Sequence, residues 1–203
     1  MASDQTFNLP SVRADIVLAG LRSYAALSNR GNLPVRVEAN MHIGTVDSEF
    51  LVASNLLRKV DEAYMPTQLA LDYTREFIWK QDAATSILQP ALVSSWYGKE
   101  IFSILLERRY ATWAQLEEWL LFQCGRDESD RGKASSVLTL LYMCKIIRNA
   151  FNKKYTLAPG LEPYLPEAPP DPTRELLIKI STLDEDSKSK VRAFVDDLVR
   201  QQA

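Results

Sequence analysis

The sequence predicts a mainly helical protein with small β-hairpins, and three observations point there. Apolar residues recur at helical spacing through most of the chain. One helix start carries a complete capping signal, Thr112-Trp113-Ala114-Gln115. The helical pattern also gives way to short alternating stretches, at Val35–Ala39 and at Lys145–Ala158, the latter broken by a polar turn. With 203 residues, 46% of them hydrophobic, the chain has material for a substantial core, and disorder is not the default.

In chain order, Ser11 can cap a helix running to about Ser28, with Ile16, Ala19, Leu21, Tyr24, Ala25 and Leu27 as its apolar stripe. Asn29-Arg30-Gly31-Asn32 stops it, and Pro34 confirms the break. Val35–Ala39 alternates as a short strand does, a bent helix being the alternative. Thr45 or Asp47 can cap a helix from Ser48 to about Val60, whose apolar members are Phe50, Leu51, Ala53, Leu56, Leu57 and Val60. Asp61–Thr67 reads as a turn or extended segment before a helix from Gln68 to about Lys80.

Gln81–Gln89 is a polar connection, and Pro90 opens a third main helix through about Arg108, with Gly98 as a weak spot. The Thr112–Gln115 capping box starts a helix from Trp113 to about Cys124. After the charged turn Gly125–Asp130, Ser129 or Asp130 can cap a helix from Arg131 to about Cys144, with Ala134, Val137, Leu138, Leu141 and Tyr142 inward. Lys145–Ala150, a turn at Phe151–Lys154 and a return at Tyr155–Ala158 make a hairpin. Pro159–Pro172 holds six prolines in fourteen residues, which forbids a helix and favours an extended linker. Two further helices follow, about Thr173–Ser181 and Glu185–Gln201, with Asp184 as cap. In the second, Val191, Phe194, Val195 and Leu198 form an apolar stripe that needs a partner, in this chain or in another copy.

The stretch from Trp113 to Ala158, read as helix, polar turn, helix and basic hairpin, resembles winged-helix proteins. Residues 12–80 and 91–158 share a similar order of elements without a residue-level repeat, so the whole resembles a tandem winged-helix protein. The expected organisation is an N-terminal helical domain over 1–85, itself a degenerate winged helix, a winged-helix domain over 86–158, the linker over 159–172 and a helical tail over 173–203. The resemblance implies that Arg131–Cys144 enters the major groove of DNA and that the hairpin lies on the backbone. Base edges are read by short polar or cationic groups, and phosphates are held by cations. Lys133, Ser135, Ser136 and Thr139 are therefore expected at the groove, with Arg131, Lys145, Arg148, Lys153 and Lys154 on phosphates.

Charge supports a local patch. The whole chain carries 24 Lys+Arg against 26 Asp+Glu, a net −2, which excludes a bulk polycation. From Arg126 to Lys154 there are seven cations against three carboxylates, a local +4, whereas residues from Leu161 onward carry six cations against nine carboxylates, −3. In the first half, Glu49, Asp61 and Glu62 offset Arg58 and Lys59, which suits a scaffold or a protein-contact surface.

No catalytic signature competes. His42 is the only histidine, so a histidine metal cluster cannot be built. Cys124 and Cys144 fall in apolar helical patterns, where a thiol acts as a small hydrophobe. There is no phosphate loop, dinucleotide turn or nucleophile elbow. Asp184-Glu185-Asp186 suits a helix N-terminus, and Trp79, Trp96, Trp113 and Trp119 suit core packing. No apolar run reaches membrane-span length, and Met1–Pro10 lacks an apolar signal core, so an intracellular, cytoplasmic protein is expected. The function expected is a non-enzymatic DNA-binding protein, a transcriptional regulator among the candidates, with no cofactor. The alternative is a protein–protein adaptor or assembly subunit that docks or self-associates through its C-terminal helices.

Overall fold

Helix α1 spans Ala14–Leu27, starting after Ser11 because Ser11 is engaged elsewhere. Its backbone N–H and its hydroxyl donate to the two carboxylate oxygens of Asp47, at 2.7 and 2.8 Å, and the Gly44 amide donates to the same group at 3.3 Å. Asp47 is buried. One carboxylate thus closes the first turn of α2 (Thr45–Ala53) and ties down the segment that leads into α1. The computed structural model describes residues 8–37, 43–161 and 164. The described residues belong to one compact unit. His42, most of the proline-rich stretch, and both predicted tail helices with Val191, Phe194, Val195 and Leu198 lie outside the described residues.

The helix expected over Ser48–Val60 is shorter. It ends at Ala53, and Leu57–Val60 is strand β1, antiparallel to β2 (Ala63–Pro66). Asn55 turns left-handed, φ 58°, which stops the helix. Leu56 and Leu57 fit a helical stripe or a strand equally well, and spacing alone does not separate the two. Helix α3 (Gln68–Phe77) follows; it ends before Ile78 and Trp79, and Trp79 stands 79% exposed, against the core position expected of it. Trp96, Trp113 and Trp119 do pack against the core.

The expected polar connection folds as α4 (Gln81–Ala84) and a 3₁₀ turn over Thr85–Leu88, and the long helix after it is two helices, α5 (Gln89–Ser94) and α6 (Trp96–Arg108). Ser95 is extended, ψ 162°, and its Oγ accepts the Gly98 amide at 3.1 Å. Gly98 lets α5 and α6 meet: a Cβ there would lie 2.0 Å from the Leu92 carbonyl oxygen. The expected weak spot is a required close approach.

Strand β3 (Ala111–Thr112) leads into α7 (Trp113–Cys124) through the predicted capping box, the Gln115 amide donating to Thr112 Oγ1 at 3.3 Å and the Thr112 amide to Gln115 Oε1 at 2.9 Å. Gly125, φ 60°, ends α7. Asp127, rather than Ser129 or Asp130, supplies the next side-chain cap. Its carboxylate accepts the Ser129 amide and hydroxyl and opens a 3₁₀ turn, Glu128–Asp130, that runs into α8 (Arg131–Met143). Those hydrogen bonds hold the Asp127 carboxyl below its ordinary pKa. Ala134, Val137, Leu138 and Leu141 face inward as expected and Leu140 joins them, while Tyr142 is half exposed. Strands β4 (Ile147–Phe151) and β5 (Lys154–Leu157) form the hairpin, turning through Asn152 and Lys153 at φ 47° and 59°. The sheet order is β3–β5–β4, all antiparallel.

The two halves repeat one junction. The strand expected over Val35–Ala39 is observed as a bridge from Val35 to Tyr64, which gives the order Val35–β2–β1, the counterpart of β3–β5–β4. After α2 the amides of Ser54, Asn55 and Leu56 donate to the carbonyls of Phe50, Val52 and Leu51; after α8 those of Cys144, Lys145 and Ile146 donate to Leu140, Tyr142 and Leu141. Asn55 and Lys145, ninety residues apart, share the left-handed conformation, at φ 58° and 57°. The Thr67 amide then returns to the Leu56 carbonyl, and the Ala158 amide to that of Ile146.

Both halves contribute to one core, in which Phe50 stacks on Tyr97 with ring centres 5.3 Å apart. Tyr97 Oη donates to Ser54 Oγ at 2.8 Å, and Tyr24 and Ser48 share a hydrogen bond at 2.8 Å, so the buried hydroxyls are satisfied. Burial raises the Tyr97 pKa. Among the described residues, no helix is long and apolar enough to cross a membrane.

Candidate nucleic-acid interface

The polar face of α8 is occupied by its own neighbours. Arg131 Nε lies 2.9 Å from Glu128 Oε1, and its guanidinium is 3.7 Å from Glu118 and 3.8 Å from Glu117, a buried carboxylate of α7. Lys133 Nζ is 2.7 Å from Asp130 Oδ1. Ser135 Oγ accepts from Trp113 Nε1 at 3.0 Å, while the hydroxyls of Ser136 and Thr139 turn back to the carbonyls of Gly132 and Ser135, at 3.1 and 2.8 Å. Every groove-facing group expected on this helix therefore has an internal partner. Over residues 113–143 three cations stand against five carboxylates, a local −2.

The hairpin is the opposite. Residues 108–112 and 147–157 hold five cations, Arg108, Arg109, Arg148, Lys153 and Lys154, and no carboxylate, +5 in all. Among the described residues none of the five forms an ion pair. Lys145 sits apart from them, at the α8–β4 junction. Of the nine predicted contact residues, the fold gathers Arg148, Lys153 and Lys154 on the hairpin and leaves Arg131, Lys133, Ser135, Ser136 and Thr139 on α8.

Side chains alternate across this sheet. Ile147 pairs with Leu157, Asn149 with Tyr155 and Ala111 with Tyr155, which defines the inner face; there Tyr155 packs on Trp113 and Tyr142, at 5.0 and 6.3 Å between ring centres. Arg148 pairs with Thr156, and Thr112 and Phe151 pair with Lys154, which defines the outer face. Simple alternation from Ile147 would send Phe151 inward. A register shift between Asn149 and Phe151 adds one residue to β4 and moves Phe151 outward, as a bulge does. Phe151 there meets Tyr110 edge to face, with ring centres 4.9 Å apart and planes at 68°. Lys154 Nζ lies 5.6 Å from the Phe151 ring centre. Phe151 is 47% and Tyr110 42% exposed.

Sequence reasoning missed Arg108, Arg109, Tyr110 and Phe151. The signal was present in Arg108-Arg109-Tyr110, a basic-aromatic run just before the capping box, but only the pairing of β3 with β5 brings it beside the hairpin. Cys144 is buried as expected, whereas Cys124 is only partly buried; desolvation pushes the Cys144 thiol up to about 12 and the Cys124 thiol to about 11, which leaves both as poor nucleophiles. The chain matches no protein-family model, no curated protein and no solved structure.

Proposed function

We propose that residues 96–158 are a winged-helix domain, that residues 14–66 are a second and reduced copy, and that the protein is a non-enzymatic DNA-binding protein whose main contact is the β4–β5 hairpin. The observation that carries this reading is the separation of charge within one domain, +5 on the hairpin and on the α6–β3 segment beside it against −2 on the helix pair. Unpaired surface cations neutralise phosphates and release counterions, whereas Arg131 and Lys133 would first have to leave carboxylates. The order α6–β3–α7–α8–β4–β5 with strands β3–β5–β4 supports the domain assignment, and the repeated helix-to-strand junction supports the second copy. A regulator of transcription fits this reading.

The test is fluorescence anisotropy with labelled DNA, duplex and single-stranded, from 50 to 200 mM salt, salt levels at which roughly one unit of log–log slope reports each phosphate contact. The double variant Lys153→Ala/Lys154→Ala is expected to weaken binding and to flatten the slope by about two units. Salt-independent affinity, or an unchanged double variant, refutes the assignment.

A second reading, a protein–protein adaptor, is favoured by Ile78 and Trp79, neighbouring large hydrophobics both left exposed after α3. Under that reading Ile78→Ser/Trp79→Ser changes the oligomeric state in sedimentation; under the first it leaves DNA affinity unchanged.

A further inference from the structure

We infer that the outer face of the β3–β5–β4 sheet binds single-stranded nucleic acid, with bases stacked on Tyr110 and Phe151 and the backbone held by the surrounding cations. The inference rests on the proposed DNA-binding function and specifies the form of its ligand. In a duplex the π faces of the bases are covered by one another, so only phosphates and base edges are on offer. A single strand presents bare π faces, and proteins that bind it combine a cationic track with aromatic platforms.

This sheet face has both parts. Tyr110, the residue before β3, and Phe151, the last of β4, meet at 4.9 Å, across the middle strand β5. Both residues are exposed to solvent. Arg148 and Lys154 stand on the same face, Lys153 at the turn, and Arg108 and Arg109 lead directly into Tyr110, with no carboxylate among residues 108–112 and 147–157. The register shift in β4 strengthens the case: it takes the one phenylalanine of the hairpin off the core side and sets it among cations, where burial does not reward it. A purely structural Tyr110–Phe151 pair would account for the ring contact but not for the excess of unpaired charge around it.

The experiment compares a labelled twelve-nucleotide oligothymidine with a twelve-base-pair duplex, using the full chain. Tyr110→Ala and Phe151→Ala are each expected to raise the Kd for the oligothymidine about tenfold, since loss of one stacked base has that order of effect, while the salt slope and duplex Kd stay within twofold. Phe151→Tyr should retain the wild-type Kd. Phe151→Leu, which keeps apolar bulk for the hairpin but removes the π face, should lose as much as the alanine variant; full retention by Phe151→Leu overturns the inference even if Phe151→Ala misfolds. If the aromatic variants bind oligothymidine normally while Lys153→Ala/Lys154→Ala weakens it, stacking is refuted and DNA binding stands. If the wild type prefers the duplex, the inference fails. If neither DNA is bound, both readings fall.

Discussion

Phe151 lies opposite Lys154, out of step with the Ile147–Leu157 pairing that begins the same strand. That single shift decides which face of the sheet carries an aromatic ring and leaves it beside Tyr110 rather than against the core. Because the ring is half exposed, Phe151→Ala is expected to cost little stability, about 0.5–1.5 kcal/mol for loss of an aromatic pair. Urea unfolding of Phe151→Ala and Tyr110→Ala measures it. A loss above about 3 kcal/mol, typical of a buried aromatic, would show that the ring serves the core.

Arg131 should behave in the opposite way to the hairpin lysines. Its partner Glu117 is 7% exposed, so Arg131→Ala leaves a largely buried carboxylate without its counter-charge. A loss of about 1–2 kcal/mol is expected, less than for a fully buried pair because Arg131 itself remains partly solvated. DNA affinity should change less than twofold. A large fall in affinity with unchanged stability would return the contact to α8.

Gly98→Ala tests the α5–α6 junction. The added methyl would sit 2.0 Å from the Leu92 carbonyl oxygen, and backbone cannot swing aside as a side chain can. Destabilisation of about 1–3 kcal/mol or more is expected from overpacking, although alanine favours a helix over glycine. Thermal unfolding that shows equal or higher stability would contradict the contact.

A pH dependence follows from the cluster on α2, β1 and β2. The Lys59 ammonium, 2.7 Å from Glu49 Oε1, and the Tyr64 hydroxyl, donating at 2.8 Å, hold the Glu49 carboxyl below its ordinary 4.5. A depressed folded-state pKa adds stability that is fully present above the unfolded value and is lost as pH falls through the folded one. Glu49→Gln should therefore flatten the decline in stability below about pH 4.5 and have its largest effect at neutral pH. Parallel acid-unfolding curves for the two proteins would disprove this linkage.

Both cysteines should resist modification in the native state. With their thiols raised to about 11 and about 12, labelling by a chromogenic disulfide at pH 8 should be roughly a hundredfold slower than in urea, where free thiols titrate near 8.5. Rapid native labelling of either would contradict its raised thiol pKa.

Much of the helical framework is legible in the sequence. The Thr112–Gln115 capping box, the inward face of α8 and the hairpin at 147–157 formed as expected, because each rests on contacts between residues close in the chain. Errors arose where an apolar run fitted two geometries, as at Leu56–Val60, or where a distant partner claimed a residue, as Asp47 claims Ser11.

By itself the sequence determined the helical class and the excess of positive charge near residues 145–154. Tertiary structure alone decided which cations are free. Arg131 and Lys133 are neutralised by carboxylates of α7 and of the turn before α8, while Arg108, Arg109 and Tyr110 reach the hairpin through the pairing of Ala111 with Tyr155 and of Thr112 with Lys154. The physical reason is range: capping and periodicity act within a few residues and leave a mark in the sequence. An ion pair or a sheet register joins residues that the chain keeps far apart, and the charges involved look alike until the fold brings some of them together.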